Sequence, residues 1–386
     1  MRILYISSAN FQGGGSIALY NMVKGIKELG HEVHVVTTKE DGYLIDKLDE
    51  IACPYTRLDL SLDIYPTNKD IVRYLPRILR NLWRHYRGVK DIVKIIESFR
   101  PDIVHTNVGP YSVGYDACQK TGIKHVWHQR EYQDKDFGMR YFPHIRSFMR
   151  KSHSEKNYNI CITKGIFNYR NFRKDKDAII YDGVFSEMEL SQLPVRQEKN
   201  YILFVGRIEE AKGLYEVLEA FYAFHKTFPD IPLKVVGDTP EQGRAYEEKC
   251  KKFISERNLA KHVYFIGRSN KVYEYMSRAK MMVVASRFEG FGFITAEAML
   301  NGCPVIGKNT GGTKEQFDNG RELMQAEIAL RYSSRQDLTE AMCFVMEHDT
   351  TDMCAKAKET VLRLYSLERN TSLVEKYYKE ILKHKI

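Results

Sequence analysis

The 386-residue chain is too long for one ordinary hydrophobic core and suits two domains of about 150–200 residues each. Its 43% hydrophobic and 28% charged residues are typical of a globular protein, and 59 Lys and Arg against 50 Asp and Glu give a formal charge of +9. The sequence lacks an apolar run of about 18 residues and a signal-peptide core, and its seven cysteines are scattered, which argues against membrane spans, zinc sites and disulfide frameworks. We therefore expect a cytoplasmic protein.

Short β-branched runs alternate with longer amphipathic stretches, which is the pattern of βα units on a parallel sheet. In chain order, strands are predicted at Arg2–Ser7, Val33–Thr38, Asp102–Thr106, Lys124–His128, Asn159–Thr163, Ala178–Tyr181, Tyr201–Val205, Leu233–Gly237, Val263–Ile266, Met281–Ala285 and Pro304–Ile306. The expected fold class is α/β, with two Rossmann-like domains (1–190 and 200–365) facing across a cleft and joined by a polar linker, 191–199. Residues 366–386 have a helical pattern, and we hypothesise that this segment packs back on the N-terminal domain.

Two cations lie in the predicted strand-to-helix loop that follows Tyr201–Val205. Arg207 and Lys212 belong to the run G-R-I-E-E-A-K-G, where backbone N–H groups and the helix dipole favour an anion. A guanidinium and an ammonium group suit a diphosphate. Two solvated basic residues would give the same pattern, so both interpretations stay open for this loop alone.

The loop after Met281–Ala285 combines glycine with two acidic residues. Gly292 allows the backbone to approach a ligand closely, and a helix is predicted from Phe293 onwards. Glu289 lies in the loop and Glu297 about one turn into the helix. Carboxylates are poor anion ligands but good acceptors for sugar or ribose hydroxyls. The alternatives are a solvated turn residue and a helix acid stabilised by the dipole.

The run E-G-F-G-F-I-T-A-E at 289–297 closely resembles the E-x7-E motif of retaining glycosyltransferases of the GT-B type, particularly glycosyltransferase family 4 (glycosyl transferases group 1). The loop 206–213 is similar to the diphosphate loop of that family. The runs at 301–306 and 311–315 resemble further family motifs in the same order. Gly13–Gly15 and the strand-end His128 also match, so the resemblance extends over most of the chain.

The resemblance implies that 200–365 binds the nucleotide sugar and that 1–190 is the acceptor side. Donor-binding positions of the C-terminal domain would be Arg207, Lys212, Glu289, Gly292, Phe293 and Glu297. The two cations would hold the diphosphate, and the N–H groups of Gly292 and Phe293 would approach the phosphate. Glu289 would bind a hydroxyl of the transferred sugar, and Glu297 the ribose hydroxyls.

The resemblance also assigns residues of the N-terminal domain. Gly14 and Gly15 would cap the donor diphosphate, and His128 would face the sugar near the reacting carbon. The catalytic candidates are thus Glu289, His128, Arg207 and Lys212. The sequence departs from the family where Gln129 follows His128 in place of a frequent acid, at Gly237-Asp238, where the family frequently has G-x-G, and at Asp182-Gly183-Val184, where the family often has N-G-V.

The implied activity is transfer of a hexose from a nucleotide diphosphate sugar to a glycan acceptor with retention of anomeric configuration. A UDP-sugar is the favoured donor, with GDP-mannose next, and neither a metal ion nor another cofactor is expected. Two D-x-D strings, Asp134-Lys135-Asp136 and Asp175-Lys176-Asp177, do not follow apolar strands as a metal site would. We interpret both strings as solvated loops.

Two segments, 73–94 and 140–151, combine basic residues with apolar or aromatic ones, and the first is a predicted cationic amphipathic helix. Both patterns fit a solvated face, and both fit contact with anionic lipid, which is our hypothesis. Nucleic acid is not an expected partner, since neither segment belongs to a recognised binding motif. The expected partners are a nucleotide-sugar donor and a saccharide or lipid-linked saccharide acceptor, met at the inner face of the cell membrane during polysaccharide assembly.

Other functions remain as alternatives. A nucleotide-sugar-binding protein without transferase activity and an epimerase of similar architecture would share much of the pattern. A dinucleotide-dependent oxidoreductase is suggested by Gly13-Gly14-Gly15 alone. These glycines lack G-x-G-x-x-G spacing, and that function leaves 289–297 unexplained.

Overall fold

The computed structural model describes residues 1–8, 10–66, 71–197 and 201–383, and it divides the chain into two compact units. Unit 1 comprises Met1–Gly183 and Leu367–Ile386, and unit 2 comprises Val184–Ser366. The chain therefore changes unit between Gly183 and Val184, earlier than the linker expected at 191–199. Arg196 explains the difference, because it donates hydrogen bonds to carbonyl groups at the end of a unit 2 helix and holds its segment there.

Unit 1 is built on a parallel sheet. Its described strands are β1 Arg2–Ile6, β2 Glu32–Thr38, β3 Tyr55–Leu58, β4 Ile64–Pro66, β5 Ile103–Thr106, β6 Lys124–Gln129, β7 Met139–Tyr141, β8 Asn157–Cys161 and β9 Ala178–Ile179. Its described helices are α1 Gly14–Glu28, α2 Tyr43–Glu50, α3 Ile71–Phe99, α4 Val113–Thr121, α5 Asp134–Phe137, α6 Ile145–Ser152, α7 Lys164–Tyr169 and α15 Leu367–Lys383. The strand order is β3-β2-β1-β5-β6-β8-β9, and β4 pairs with β7 in a separate antiparallel ribbon.

Apolar side chains cover both faces of the unit 1 sheet. Because successive side chains of a strand point to opposite faces, Ile3 and Tyr5 pack in one cluster and Leu4 and Ile6 in the other. Helices α1, α2 and α15 complete the first cluster, and α3 and α4 complete the second. The side chains that α15 contributes are Val374, Tyr377, Tyr378 and Ile381.

Unit 2 contains a second parallel sheet, with strand order β12-β11-β10-β13-β14-β15 in the described residues. Its strands are β10 Ile202–Val205, β11 Leu233–Val236, β12 Val263–Gly267, β13 Met281–Val284, β14 Val305–Lys308 and β15 Leu330–Tyr332. Its helices are α8 Leu214–His225, α9 Arg244–Glu256, α10 Val272–Arg278, α11 Phe293–Leu300, α12 Gly311–Met324, α13 Arg335–Glu347 and α14 Thr351–Leu364, with 3-10 turns at Glu187–Gln192, Glu210–Lys212 and Glu241–Gly243. The predicted α/β fold with parallel sheets in two domains is confirmed. Among the helices of the described residues, none has the length and apolar composition that crossing a membrane requires.

Candidate functional site

The unit 2 sheet has a topological switch point between β10 and β13. From β10 the chain first builds strands on one side, β11 and β12, and then returns to build β13, β14 and β15 on the other. Ligands of open parallel sheets bind in the crevice at the carboxyl ends of two such strands. The loops 206–213 and 285–292 follow these two strands, so the predicted donor-binding residues of unit 2 meet where a ligand is expected.

A salt bridge joins the two loops. Lys212 Nζ lies 2.7 Å from Glu289 Oε1, and the two side chains are only 25% and 17% exposed. Gly213 has a φ of 76°, and a Cβ on it would lie 2.2 Å from the carbonyl oxygen of Ala285. Only glycine therefore allows the turn that carries Lys212 to pack on the end of β13. Both charged side chains line a small cavity of about 90 Å³ between the strand ends.

Arg207 lies in the same loop with a different partner. Its Nη2 is 2.8 Å from Glu209 Oε1, and its side chain is 51% exposed. Ion pairs exposed to this degree stabilise a fold by about 0–1 kcal/mol. Arg207 can therefore exchange Glu209 for a phosphate, which binds a guanidinium in a bidentate and stronger way.

The N-terminus of α11 faces the same loop. Gly292 is the N-cap residue, with a φ of 89° and no side-chain cap hydrogen bond, and Phe293 is the first residue of the eight-residue helix. Gln316 Nε2 donates to the carbonyl oxygens of Phe291 at 2.7 Å and Gly292 at 3.0 Å, and the Gly312 N–H donates to the carbonyl oxygen of Glu289 at 2.8 Å. The loop is thus fixed, and the positive end of the helix dipole is available to an anion.

Glu297 lies in the second turn of α11 and is half-buried. Burial raises the pKa of its carboxyl group to about 7. Burial and the nearby Glu297 carboxylate together raise the pKa of Tyr273. Among the described residues, the Glu297 carboxyl group has no hydrogen-bond partner. Buried polar groups are normally hydrogen-bonded, so this carboxyl is suited to accept hydrogen bonds from ligand hydroxyls.

In unit 1 the equivalent switch point lies between β1 and β5. Helix α1 begins at Gly14, after the extended Gly13. Asn107, which follows β5, donates from Nδ2 to the carbonyl oxygen of Gly15 at 3.0 Å. A Cβ on Gly15 would lie 3.9 Å from Cδ of Arg130, which is ordinary van der Waals contact. Gly14 and Gly15 therefore lie at the carboxyl edge of the unit 1 sheet, with their turn tied to the end of β5.

His128 stands at the end of β6 with its ring fully buried. Its Nδ1 lies 3.1 Å from His105 Nε2 and 3.4 Å from Arg130 Nη2. His105 Nδ1 lies 2.5 Å from the hydroxyl of Tyr378 in α15. Burial, followed by the charge of Arg130 and the neighbouring His105, holds the pKa of His128 well below its usual value. The ring is therefore neutral at neutral pH.

This network also determines which His128 nitrogen carries the proton. A guanidinium group only donates hydrogen bonds, so Nδ1 of His128 accepts and the proton of the neutral ring is on Nε2. His105 then donates from Nε2, and its Nδ1 faces the hydroxyl of Tyr378, which also lies 3.1 Å from the hydroxyl of Tyr5. The Nε2 atom of His128 is buried without a hydrogen-bond partner in the described part of the chain. It is a donor held ready for an oxygen atom of a ligand.

Arg130 is a site residue that the sequence analysis missed. Its buried guanidinium lies 2.5 and 2.6 Å from the two carboxylate oxygens of Asp182, and its Nε donates to Asn107 Oδ1 at 2.9 Å. Asp182 is one of the departures from the family pattern noted above, and its carboxylate neutralises the buried cation. Two features of the sequence could have indicated Arg130 as a site residue. One is the acid at 182, where the family often has asparagine, and the other is an arginine only two positions after His128. Gln129, another departure, is buried and donates to Asn159 Oδ1 at 3.3 Å.

One acid of each D-x-D string accepts backbone hydrogen bonds within unit 1. Asp136 Oδ2 accepts from the Tyr132 N–H at 2.7 Å, and Asp177 accepts from the N–H groups of Asn159 and Arg173, both at 3.0 Å. The interpretation of both strings as solvated loops is therefore wrong for these two residues. The described residues contain no group of three or more His, Cys, Asp or Glu placed to hold a metal ion.

Between residues 75 and 86, α3 leaves several large apolar side chains in solvent. These side chains, which we call the exposed face of α3, are 48% to 58% exposed and comprise Leu75, Leu79, Leu82, Trp83 and Tyr86. The guanidinium of Arg87 lies 4.7 Å from the ring centre of Trp83. The C-terminal half is different, because Val89, Ile92 and Ile96 are buried in the core.

The second basic segment, 140–151, provides no comparable surface. Its aromatic residues Tyr141 and Phe148 are buried against Trp127. Lys151 pairs with Asp116 at 2.7 Å. Of the two basic segments, only the first therefore has large exposed apolar side chains among the described residues.

Comparisons with protein families cover both units. Residues 12–181 match the family model described as Glycosyltransferase Family 4. Residues 186–361 match the family model described as Glycosyl transferases group 1. The two matches adjoin at the boundary between units 1 and 2, so each unit has its own family match.

Individual proteins are similar over nearly the whole chain. The chain is 24% identical to an uncharacterized glycosyltransferase of Methanocaldococcus jannaschii and 21% identical to N-acetyl-alpha-D-glucosaminyl L-malate synthase of Bacillus anthracis, in each case over 96% of this chain and 95% of the other protein. The crystal structure of Anabaena HepE in complex with UDP and glucose is similar with a TM-score of 0.74 and 18% identity, over 98% of this chain and 99% of that chain. This structural likeness shows a shared fold.

Proposed function

Because this chain is a hexosyltransferase-type glycosyltransferase with the GT-B fold that resembles family 4, we propose that it moves a hexose from a nucleotide diphosphate sugar to a glycan acceptor, with retention and without a metal ion. The observation that carries this proposal is the Lys212–Glu289 pair at the unit 2 switch point. The ammonium group suits a phosphate and the carboxylate suits a sugar hydroxyl, so the pair would lie beside the sugar–phosphate bond.

A UDP-sugar is our favoured donor, and GDP-mannose is the second candidate. The similar HepE was crystallised with UDP and glucose, which supports the first choice. The ribose would bind the half-buried carboxyl of Glu297, and the diphosphate would lie between the N-terminus of α11 and the side chains of Arg207 and Lys212.

Cleavage of the bond between sugar and phosphate places negative charge on the leaving diphosphate. Arg207, Lys212 and the α11 dipole would stabilise that charge without a metal ion. Loss of one such donor is expected to raise the barrier by about 3 kcal/mol, or roughly a hundredfold in rate. We propose that the acceptor attacks from the face that the phosphate leaves and that the phosphate takes the acceptor proton. The Nε2–H group of His128 would donate to an oxygen of the donor.

We further propose that the acceptor is lipid-linked and that the enzyme works on the inner face of the cell membrane in polysaccharide assembly. The exposed face of α3 supports this, because five large apolar side chains in solvent are unfavourable unless another surface covers them. Arg80 and Arg87 lie beside this apolar stripe, because they are three and four residues from Trp83 on the same helix. Basic residues next to an exposed apolar stripe are typical of a helix that lies on anionic lipid.

Thermal unfolding with UDP-glucose, UDP-galactose, UDP-N-acetylglucosamine and GDP-mannose tests the donor, and donor hydrolysis or transfer tests the reaction. We expect Glu289→Ala to abolish transfer while UDP still raises the unfolding midpoint. Lys212→Met should lower transfer about a hundredfold. Lys308→Met is the matched control, since Lys308 is also a partly buried lysine of unit 2, paired with Glu216 at 2.6 Å. Transfer by Glu289→Ala near the wild-type rate, or loss of activity in EDTA, would contradict the proposal.

Sedimentation with vesicles tests the membrane contact. The protein should sediment with phosphatidylglycerol vesicles at low salt and much less with phosphatidylcholine vesicles. The double substitution Leu79→Glu and Trp83→Glu should weaken binding at least about tenfold without lowering the unfolding midpoint, because both side chains are more than half exposed. Phe344→Glu, at an exposed aromatic residue of unit 2, is the control. Equal sedimentation of the double variant and the wild type would rule out the exposed face of α3 as the contact.

A further inference from the structure

A cavity of about 420 Å³ lies in unit 1 at the carboxyl ends of β1, β2 and β3. We call it the α3 cavity, because one wall is formed by Arg77, Ile78, Arg80, Asn81 and Arg84 of α3. The opposite wall includes Ser8 after β1, Thr38 at the end of β2 and Leu58 at the end of β3. The cavity therefore opens at the same edge of the unit 1 sheet as Gly14, Gly15 and His128, on the side of β2 and β3.

The charged lining of the α3 cavity is mainly basic. Its cations are Lys39, Arg77, Arg80 and Arg84, and its carboxylates are Glu40 and Asp59. Arg84 Nε lies 3.0 Å from Asp59 Oδ2, which neutralises one cation of the set. The remaining excess of positive charge, provided largely by guanidinium groups, favours an anion with several acceptor oxygens.

A second observation independently indicates a ligand. The side chain of Tyr111 lines the α3 cavity and is only 1% exposed. Its hydroxyl group is buried and has no hydrogen-bond partner within the described ranges. Burial and the nearby Asp63 and Asp59 carboxylates raise the pKa of Tyr111 well above its usual value, so the hydroxyl keeps its proton. A buried donor without an acceptor is unfavourable, and an anionic ligand would supply the acceptor.

The α3 cavity is also connected to the turn that precedes α1. Asn10 follows β1 and donates from Nδ2 to the carbonyl oxygens of Thr38 at 3.0 Å and Glu40 at 2.5 Å. A Cβ on Gly42 would lie 2.8 Å from the carbonyl oxygen of Asn10, so the loop after β2 packs tightly on the loop after β1. The wall that contains Lys39 is therefore held in place by the segment that leads to Gly14.

We propose that the α3 cavity binds the phosphate or diphosphate group of an acceptor in which that group is attached to an apolar chain. This inference rests on the proposed function, and it identifies the chemical class of the acceptor. Arg80 and Lys39 bind the phosphate oxygens, and the Tyr111 hydroxyl donates to one of them. The apolar part of the lining, which includes Leu62, Ile64 and Ile78, contacts the start of the apolar chain.

Calorimetric titration with soluble probes tests the proposal. The probes are geranyl diphosphate, inorganic diphosphate and geraniol, each added in the presence of saturating UDP so that the proposed diphosphate site of unit 2 is already filled. We expect geranyl diphosphate to bind most tightly, inorganic diphosphate more weakly and geraniol not measurably. Equal affinity for the first two probes would mean that the cavity selects free phosphate and would overturn the lipid-linked acceptor.

Variants of the lining provide the second arm of the test. Arg80→Gln should weaken geranyl diphosphate binding about tenfold or more. Arg173→Gln is the control, because it removes the same charge from an exposed arginine of unit 1 outside the cavity. Tyr111→Phe should weaken binding severalfold without lowering the unfolding midpoint, since its hydroxyl has no partner to lose. Unchanged affinity in both Arg80→Gln and Tyr111→Phe would overturn the site, whereas a loss of UDP protection in the wild type would contradict the proposed function instead.

Discussion

The carboxyl group of Glu297 changes its charge in the range where the enzyme is expected to work. Its pKa of about 7 lies above the usual value because the charged form is poorly solvated in its half-buried position. Between pH 6 and pH 8 the ionised fraction of such a group rises from about one-tenth to about nine-tenths. The ionised form accepts hydrogen bonds at both oxygens, so it is the form that binds two ribose hydroxyls.

We therefore expect UDP affinity to increase between pH 6 and pH 8 more in the wild type than in Glu297→Gln. The difference should approach tenfold if only the ionised form binds. Titrations at four pH values measure it, and UDP is its own control because its phosphate ionises identically with both proteins. Parallel pH profiles of the two proteins would show that Glu297 does not contact the ribose.

At the scale of elements, α15 reaches the candidate site through two hydrogen bonds. The Tyr378 hydroxyl lies 2.5 Å from His105 Nδ1 and 3.1 Å from the Tyr5 hydroxyl, and His105 Nε2 lies 3.1 Å from His128 Nδ1. A helix from the end of the described chain thus contacts the network that holds a residue at the end of β6. The Tyr378 hydroxyl contacts His105 and Tyr5, and Tyr378 is not one of the candidate donor-binding residues. It is therefore a positioning residue, and its effect on the reaction passes through the proton on His128 Nε2.

Tyr378→Phe should lower transfer about tenfold while UDP affinity stays unchanged. Without the tyrosine hydroxyl, His105 is free to carry its proton on Nδ1 and no longer donates to His128. Tyr377→Phe is the control, because Tyr377 is the neighbouring buried tyrosine of α15 and donates to the carbonyl oxygen of Lys176 at 2.7 Å. Nitrogen chemical shifts of labelled histidine report the tautomer directly. An unchanged His128 tautomer in Tyr378→Phe would refute the relay.

The strands and site residues that could be predicted from the sequence share one property. Each is indicated by a pattern of neighbouring residues in the chain. Arg207, Lys212 and Glu289 lie in the loops that directly follow β10 and β13, so their position at the carboxyl edge follows from strand prediction, and Glu297 lies in the helix that comes next. Strands β3 and β15 were not predicted, because they are short and only partly buried and lack an apolar run. A period-2 pattern cannot be recognised in three or four residues of mixed polarity.

Contacts between distant segments could not be predicted in this way. Arg130 and Asp182 are 52 residues apart, and His105 and Tyr378 are 273 residues apart. A buried ion pair leaves only a charged residue in each of two unrelated segments, and such residues usually belong to the surface. The family resemblance identified His128 but gave no indication of the groups that hold its ring.

At the scale of the whole molecule, the unit boundary is the main difference between expectation and structure. A polar segment with Pro194 is typical of a linker, and the sequence prediction followed that rule. The structure changes unit at Gly183, where a Cβ would lie 2.6 Å from the Cα atom of Leu367. The two points at which the chain enters and leaves unit 1 are therefore packed against each other, a contact that composition does not reveal.

The position of α15 has a consequence for the newly made chain. Residues 184–366 form unit 2 without interruption and can fold as soon as they leave the ribosome, whereas unit 1 lacks the core side chains of α15 until residue 381 has been made. Domains usually fold in order from the N-terminus during synthesis. Because α15 follows unit 2 in the chain, the native core of unit 1 can be completed only after unit 2 has been made.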